Sequence, residues 1–412
     1  MSQPIDRRTF LQVIVAAGGG LLLGIGFVDD AEAQQAPDTP PFSPGAYVRI
    51  SPEGRITLYS KSPEIGQGIK TAFALIIAEE LDAKWSDVTV EQSAIDAAVY
   101  GSQAAGGSRS IPTNWMTLRQ AGAGARAMLL SAAAQQWGVP VSELRTAESV
   151  VIHDASSRRA SYGSLATVAA ALPPPDPQAL VLKSRKAFRL LGRRHRGVDG
   201  PAIVTGAPLF GIDVQVQGQV VAVFQKCPRI YGRARSANLD EIRRLPGVTD
   251  AFIVEGTGKP SECLSGVAIL ARNTWSALAA RRQLKVDWDL STASADSWQG
   301  YVEQAKSLTA QPVGAQTVES RGDIEAAMSG GRVVSAVYTY GFVAHGQLEP
   351  QNATAWYRKD AEGERVEVWA PTQTPTQGRE LVASVLGLPL RQVTLHQTRV
   401  GGGFGRRLVN DY

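Results

Sequence analysis

Residues 393–407 read VTLHQTRVGGGFGRR. Val393 to Gln397 carries the alternation of a strand, and the strand runs directly into Gly401, Gly402, Gly403, Phe404, Gly405, Arg406 and Arg407. The run fails the dinucleotide-binding pattern, because Arg406 stands where the third glycine of G-x-G-x-x-G is required. Three successive glycines at a strand end do permit an anion nest, in which consecutive backbone N–H groups converge on one ligand. The alternative is a plain flexible loop. A single phenylalanine among four glycines favours a ring laid beside a flat ligand. Upstream, residues 379–386 predict a helix capped by Gly387, and residues 333–340, 353–357 and 366–370 predict strands. Downstream, the sequence stops at Asn410, Asp411 and Tyr412 in what reads as a new element, so a truncated chain is expected.

Working outward, the 412 residues correspond to two to four domains of ordinary size. With 44% hydrophobic and 19% charged residues the chain has ample core and is not a disordered polymer. A net charge of +4 without a lysine stripe or basic–aromatic interleaving argues against nucleic acid as a partner. Only two cysteines occur, Cys227 and Cys263, with no C-x-x-C, so this chain supplies no iron–sulfur ligand set. Two buried free thiols are preferred to a pair bonded in an oxidising compartment. His153, His195, His345 and His396 are scattered without metal-ligand spacing, so no metal ligands are assigned, and no Walker motif is present.

Two further glycine turns stand earlier in the chain. Residues 47–61 predict a hairpin about Pro52, Glu53 and Gly54, followed by Glu64, Ile65, Gly66, Gln67 and Gly68 and then a helix over 71–83. Gly66 and Gly68 permit positive φ, and the N–H groups at the helix start attract anions; the alternative is a tight strand-to-helix turn. Gly106, Gly107, Ser108, Arg109 and Ser110 precede a helix over 114–137 and either bind the same anion or merely cap that helix. Ser142 is expected to cap a further short helix. Residues 173–177 (PPPDP) form a linker, and the basic residues from Lys183 to Arg196 are expected to be solvated. Residues 206–289 alternate short strands and helices, an α+β pattern, and residues 291–315 are expected to be an irregular connector.

The N-terminus carries an address. Arg7 and Arg8 precede Phe10 and Leu11, then an apolar but glycine-loosened stretch to Val28, then Ala31-Glu32-Ala33. This is the layout of a twin-arginine (Tat) export signal over residues 1–33; a retained membrane helix is the competing reading. Export by this route is expected to deliver a cofactor enzyme to the periplasm.

Taken in order, EIGQG (64–68), GGSRS (106–110), AHGQLEPQNATA (344–355), EVWAPTQTPTQGRE (367–380) and GGGFGRR (401–407) resemble the molybdopterin-binding large subunits of the xanthine oxidase family. The likeness is greatest to the branch of isoquinoline 1-oxidoreductase β-subunits and aldehyde-oxidising enzymes, and it covers residues 46–412. The resemblance implies an α+β chain of several mixed domains: an N-terminal pterin-binding lobe (45–172), a linker (173–205), a hammerhead-like domain (206–290), a connector (291–330) and the start of a molybdenum cofactor-binding domain (331–412). It implies that Gly66, Gln67, Gly68, Gly107, Ser108 and Ser110 contact the pterin or its phosphate-bearing tail. Gly402, Gly403, Phe404 and Gly405 would place backbone N–H groups beside the molybdenum ligands, and Glu349 would lie near the cofactor.

The implied cofactor is molybdenum-molybdopterin, with the cytosine dinucleotide as one form of its tail. The implied partners are a small subunit carrying the 2Fe–2S clusters, a cytochrome c or similar electron acceptor, and an aldehyde or N-heterocyclic substrate. Arg406, Arg407 and Leu408 stand where purine-oxidising members carry Gly-Lys-Glu, which counts against xanthine. The family's catalytic glutamate lies in a far C-terminal motif, beyond residue 412, so the catalytic residue is unknown and the 412-residue chain alone is expected to be inactive. Two alternatives remain: a non-catalytic fragment of such a subunit, and an exported nucleotide-binding oxidoreductase of unrelated fold.

Overall fold

The computed structural model describes residues 10–16, 20–26, 47–310, 314, 316–361 and 363–411. Strands β1 (Phe10–Ala16) and β2 (Gly20–Gly26) form an antiparallel pair, and β2 adds to the predicted hairpin, β3 (Val48–Ile50) and β4 (Ile56–Ser60). Arg7, Arg8 and Ala31-Glu32-Ala33 lie outside the described residues. Among those residues no helix is long and apolar enough to cross a membrane.

From β4 the chain crosses through helix α1 (Ile69–Leu81) to β5 (Val88–Gln92), which pairs parallel with β4. This is a β-α-β unit, with the Gly66–Gly68 turn at its strand-to-helix corner. A short helix α2 (Ala97–Tyr100) is capped by the Asp96 carboxylate, and the 28-residue α3 (Ser110–Trp137) follows. Helix α3 starts four residues before the expected 114, which places Ser110 in its first turn. It crosses α1 closely at Gly122, where a Cβ would come within 2.3 Å of the Ile77 carbonyl oxygen. The main core forms around this crossing, from Tyr47, Phe73, Ile77, Leu118, Leu129 and their neighbours.

A three-stranded sheet, β6 (Leu144–Ala147), β7 (Val150–His153) and β8 (Arg158–Ser161), and helix α4 (Tyr162–Ala170) close this lobe. The sheet escaped the sequence reading because its strands are four residues each. Residues 141–143 make a 3-10 turn with no side-chain cap, so Ser142 is not the helix cap expected.

The basic stretch is not simply solvated. Glu79 and Glu80 of α1 are buried among apolar neighbours, and buried carboxylates require partners. Lys183 Nζ reaches Glu79 Oε1 at 2.9 Å and Asp82 Oδ1 at 2.6 Å, while the N–H groups of Arg189, Leu190 and Leu191 donate to Glu79 Oε2. Burial by itself raises the Glu79 carboxyl. The donors Leu191, Lys183 and Leu190 outweigh it and hold the group below its ordinary value. Residues 183–191 are therefore a strap bound to α1, and Arg193, Arg194 and Arg196 beyond it are exposed. The short α5 (Gly200–Val204) ends the first pass of the chain through this unit.

Residues 220–346 form a separate compact unit. In it β9 (Val221–Lys226) and β11 (Val248–Val254) flank β12 (Gly266–Ala271) in an antiparallel sheet, and β10 (Arg233–Ala237) pairs with β13 (Val286–Asp289). Helices α6 (Leu239–Arg243) and α7 (Thr274–Gln283) pack over Ala251 and Ile269. The expected α+β layout of 206–289 is present from residue 220. The stretch 291–315, expected to be irregular, contains helix α8 (Trp298–Ala310), and helix α9 (Ile324–Ser329) follows within the expected connector. Residues 333–340 are not the expected strand; Val334, Val337, Tyr338 and Tyr340 stand exposed without a partner strand among the described residues. Their β-branched composition favours a strand, but a strand forms only where a neighbour completes its hydrogen bonds.

From residue 347 the chain rejoins the first unit, which comprises residues 1–219 and 347–412. Strands β14 (Thr354–Asp360) and β15 (Gly363–Ala370) form a hairpin, and β15 continues parallel to β16 (Val393–Gln397) through helix α10 (Pro375–Leu386). Gly387 at φ 65° caps α10 as expected.

Candidate functional site

The glycine run after β16 is stitched to three distant segments. The Val400 N–H donates to the Glu64 carbonyl at 3.0 Å, which ties the run to the 64–68 turn. The Gly401 N–H donates to Glu349 Oε2 at 2.7 Å, while the Glu349 N–H donates to the Gly401 carbonyl at 3.1 Å. The Gly405 N–H donates to Gln373 Oε1 at 3.2 Å. Gln373 also bonds the 105–110 loop twice: its Nε2 donates to the Ala105 carbonyl at 2.8 Å, and its backbone carbonyl accepts from the Ala105 N–H at 2.9 Å. The buried Gln373 thus holds two of the three predicted loops together. It lies within the EVWAPTQTPTQGRE motif (367–380) but carries no assigned role there; a polar residue three positions after a strand end is the available signal.

Sterics explain the glycines. A Cβ on Gly401 would lie 2.4 Å from the Glu349 Cβ, and one on Gly403 would lie 2.5 Å from Gln373 Oε1. Gly402 at φ 96° and Gly405 at φ 94° occupy the left-handed region, as does Phe404 at φ 51°. Gly403 does not; close approach to Gln373, rather than positive φ, excludes a side chain there. The Phe404 ring stands 70% exposed on this strained backbone.

Arg407 and Glu349 brace the loop from below. Arg407 is fully buried and donates to the carbonyls of Gly402, Pro371, Glu349 and Pro350 and to Glu349 Oε2 at 3.3 Å. Glu349 Oε1 accepts from the Ile212 N–H and from Asn352. Arg406 is held by both oxygens of Asp411. Arg407 is therefore a framework residue with no face open to a ligand.

The donors left over define what the site can hold. The N–H groups of Gly402, Gly403 and Phe404 have no acceptor among the described residues, and neither do those of Gly106, Gly107 and Ser108. Helix α3 begins beside them with no side-chain cap, so its first N–H groups are also unclaimed. Gly106 lies against Leu408, its Cβ position 3.3 Å from Leu408 Cδ2, so the two loops meet. Unclaimed backbone donors from two contiguous loops, beside an exposed aromatic ring, suit a flat ligand with anionic groups.

The 64–68 turn differs. Glu64 Oε1 accepts from the N–H groups of Gly66 and Gly68, and Glu64 Oε2 from that of Lys70, so the chain's own carboxylate takes the place of an external anion. Gln67 bonds Ile65 and Pro63 within the turn. Of the predicted site residues, Gly107, Ser108, Ser110, Gly402, Gly403, Phe404 and Gly405 are brought together in the two loops; Gly66, Gln67 and Gly68 are adjacent through Val400 but self-satisfied. Among the described residues no cluster of three histidine, cysteine or carboxylate groups could ligate a metal.

The two loops thus present unclaimed backbone donors beside an exposed aromatic side chain. Residues 16–221 and residues 309–412 match two family models, each described as a molybdopterin cofactor-binding domain. The chain belongs to the molybdopterin cofactor-binding family. It is 30% identical to the isoquinoline 1-oxidoreductase subunit beta of Brevundimonas diminuta, over 98% of this chain and 56% of that protein. It is likewise 30% identical to a membrane-bound aldehyde dehydrogenase (pyrroloquinoline-quinone) of Gluconacetobacter polyoxogenes, over 99% of this chain and 53% of the relative. The chain therefore spans about half the length of these curated relatives. Among solved structures, quinoline 2-oxidoreductase from Pseudomonas putida 86 aligns over 51% of this chain and 30% of its own, at 16% identity and a TM-score of 0.37, too distant to inform the site.

Proposed function

We propose that this chain forms the molybdopterin-binding part of a molybdenum hydroxylase that oxidises aldehydes or N-heterocycles with water as the oxygen donor. The observation that carries the reading is the pair of loops joined by Gln373, whose glycine-rich backbones leave six N–H groups without an acceptor among the described residues. The fit rests on chemistry: pterin and phosphate groups are rich in acceptors, and the loops offer donors. When bound, the cofactor supplies the two-electron oxidation of the substrate carbon.

The chain's own residues bind and orient. Gly402, Gly403 and Phe404 donate from one loop and Gly106, Gly107 and Ser108 from the other. Gln373 fixes their separation, and the Glu349–Arg407 pair keeps the glycine backbone from collapsing. The exposed Phe404 ring packs along a flat group and excludes water from one side. In this reading a small 2Fe–2S subunit carries the electrons away, and a cytochrome c or similar protein accepts them. The cytosine dinucleotide form of the cofactor is the one proposed, with the Ser110 and Ile111 N–H groups at the start of α3 as donors to its phosphates. Export by the Tat route places the enzyme in the periplasm.

The test is molybdenum and pterin content of the protein co-expressed with its Cys-rich subunit in a host that makes molybdopterin. Loaded protein that loses both on Gln373→Ala supports the reading; full loading of that variant removes the site assignment. Isoquinoline or an aromatic aldehyde should be turned over and xanthine poorly, because Arg407 is buried in the framework and Arg406 is tied to Asp411. Rapid xanthine turnover by the unmodified enzyme would reject the substrate class.

A further inference from the structure

The β6–β8 sheet supplies none of the residues of the cofactor loops, yet it carries a glutamate, a histidine and a serine in one hydrogen-bonded row. Its last hairpin joins β7 to β8 through Asp154, Ala155, Ser156 and Ser157. His153 closes β7 and is only 4% exposed. Its Nε2 lies 2.9 Å from Glu143 Oε2, in the 3-10 turn that leads into β6, and its Nδ1 lies 2.6 Å from Ser156 Oγ.

The chemistry of the groups orders the protons along this row. A carboxylate only accepts, so the ring proton sits on Nε2 and is donated to Glu143. Nδ1 of the neutral ring is then an acceptor, and the Ser156 hydroxyl donates to it. The carboxylate also stabilises the imidazolium that forms when the ring takes up the serine proton. This is the relation of orienting acid, base and nucleophile in acyl-transfer enzymes, with the two ring nitrogens exchanged. Arg145 holds both carboxylate oxygens of Asp154, at 2.6 and 2.8 Å, so the first residue of the turn is anchored to β6. The N–H groups of Ala155 and Ser156 have no acceptor among the described residues, and donors beside a nucleophile stabilise the oxyanion it creates. The base is buried while Ser156 is exposed, so a small reagent reaches the hydroxyl directly from solvent.

We propose that Glu143, His153 and Ser156 form a nucleophilic site that hydrolyses small activated esters. Ser156 Oγ bonds to the carbonyl carbon as its proton passes to His153 Nδ1. The carbon–oxygen bond to the leaving group then breaks, and the departing oxygen takes the proton from Nδ1. Water attacks the acyl-serine in the same way, releases the carboxylic acid and restores the hydroxyl, so ester and water become acid and alcohol. The steps need no electron acceptor and share no residue with the cofactor loops, so their failure would leave the molybdenum reading untouched.

The experiment exposes the full chain to a biotinylated fluorophosphonate, whose fluoride a reactive serine oxygen displaces, and to p-nitrophenyl acetate. Expected are a label on Ser156, located by peptide mass, repeated release of p-nitrophenolate, and loss of both in Ser156→Ala. Ser157, also exposed but without the histidine contact, is the internal control and should stay unlabelled. His153→Gln should slow labelling by roughly a hundredfold, the scale of general-base assistance. Glu143 is half exposed, so Glu143→Gln spares the fold and should slow labelling too, with thermal melting read beside both variants. An unlabelled wild-type chain overturns the proposal, as does labelling of Ser156 and Ser157 at equal rates. A labelling rate unchanged in Glu143→Gln and His153→Gln makes the row a structural hydrogen-bond chain only. Release of a single p-nitrophenolate per chain overturns the hydrolytic step.

Discussion

Gly403 and Arg407 carry opposite kinds of constraint. At Gly403 the space for a Cβ is already filled by the Gln373 amide. Gly403→Val should therefore push the glycine loop away from the 105–110 loop, at a cost of about 1–3 kcal/mol for overpacking, and should lose molybdenum more completely than that modest destabilisation explains. Thermal melting and metal content per chain, measured together, check this; full metal occupancy would contradict it. Arg407 sits in no ligand's way, yet its five acceptors include the buried Glu349. Arg407→Met leaves that carboxylate without its cation and should destabilise the unit by roughly 3–5 kcal/mol, read as a lower urea midpoint. A shift within experimental error would mean that the other donors to Glu349 suffice. The glycines and Phe404 were legible in the sequence because each departs from ordinary loop composition. Gln373 and the bracing role of Glu349 were not, since what they do depends on partners 268 and 52 residues away.

At the scale of elements, pH acts in opposite directions on a buried lysine and three buried tyrosines of the first unit. Burial pushes the Lys61 ammonium down to about 8, where its Nζ donates to the Tyr100 carbonyl. In the unfolded chain it keeps its ordinary value of 10.5. Between those values the unfolded state binds more protons, so stability should rise as pH climbs from about 8. Burial acts on the phenols of Tyr47, Tyr100 and Tyr162 in the other direction, raising all three far above their ordinary value of 10.0. Above that value the unfolded state sheds protons that the folded state keeps, and stability should fall. Chemical denaturation across this range should thus pass through a maximum, and Lys61→Met should remove the rising limb while leaving the falling one. A rise that persists in Lys61→Met would reject the assignment. Strong local patterns made β5, β12, β16, α7 and α10 readable to within a few residues. The β6–β8 sheet and the helices α8 and α9 were missed because short strands and weakly amphipathic helices leave little periodicity. The strand expected at 333–340 failed for the reverse reason: its composition was right and its pairing partner was absent among the described residues.

For the whole molecule, the α+β class was legible in the alternation of short strands and helices. The grouping was not, because the last 66 residues return to the unit begun at the N-terminus, which no linear pattern reveals. The export reading belongs at this scale. Arg7→Lys with Arg8→Lys should leave the precursor in the cytoplasm, as assayed by fractionation and immunoblotting. Undiminished periplasmic accumulation of the double variant would end the Tat assignment.

The two bonds between Gln373 and Ala105 also bear on how the chain is made. Their 268-residue separation means that a ribosome completes the entire 220–346 unit before the partner of the 105–110 loop exists. The closure of this loop is a contact of very long range, the kind that slows folding. The 105–110 loop therefore reaches its final tie only after residue 373 has been made.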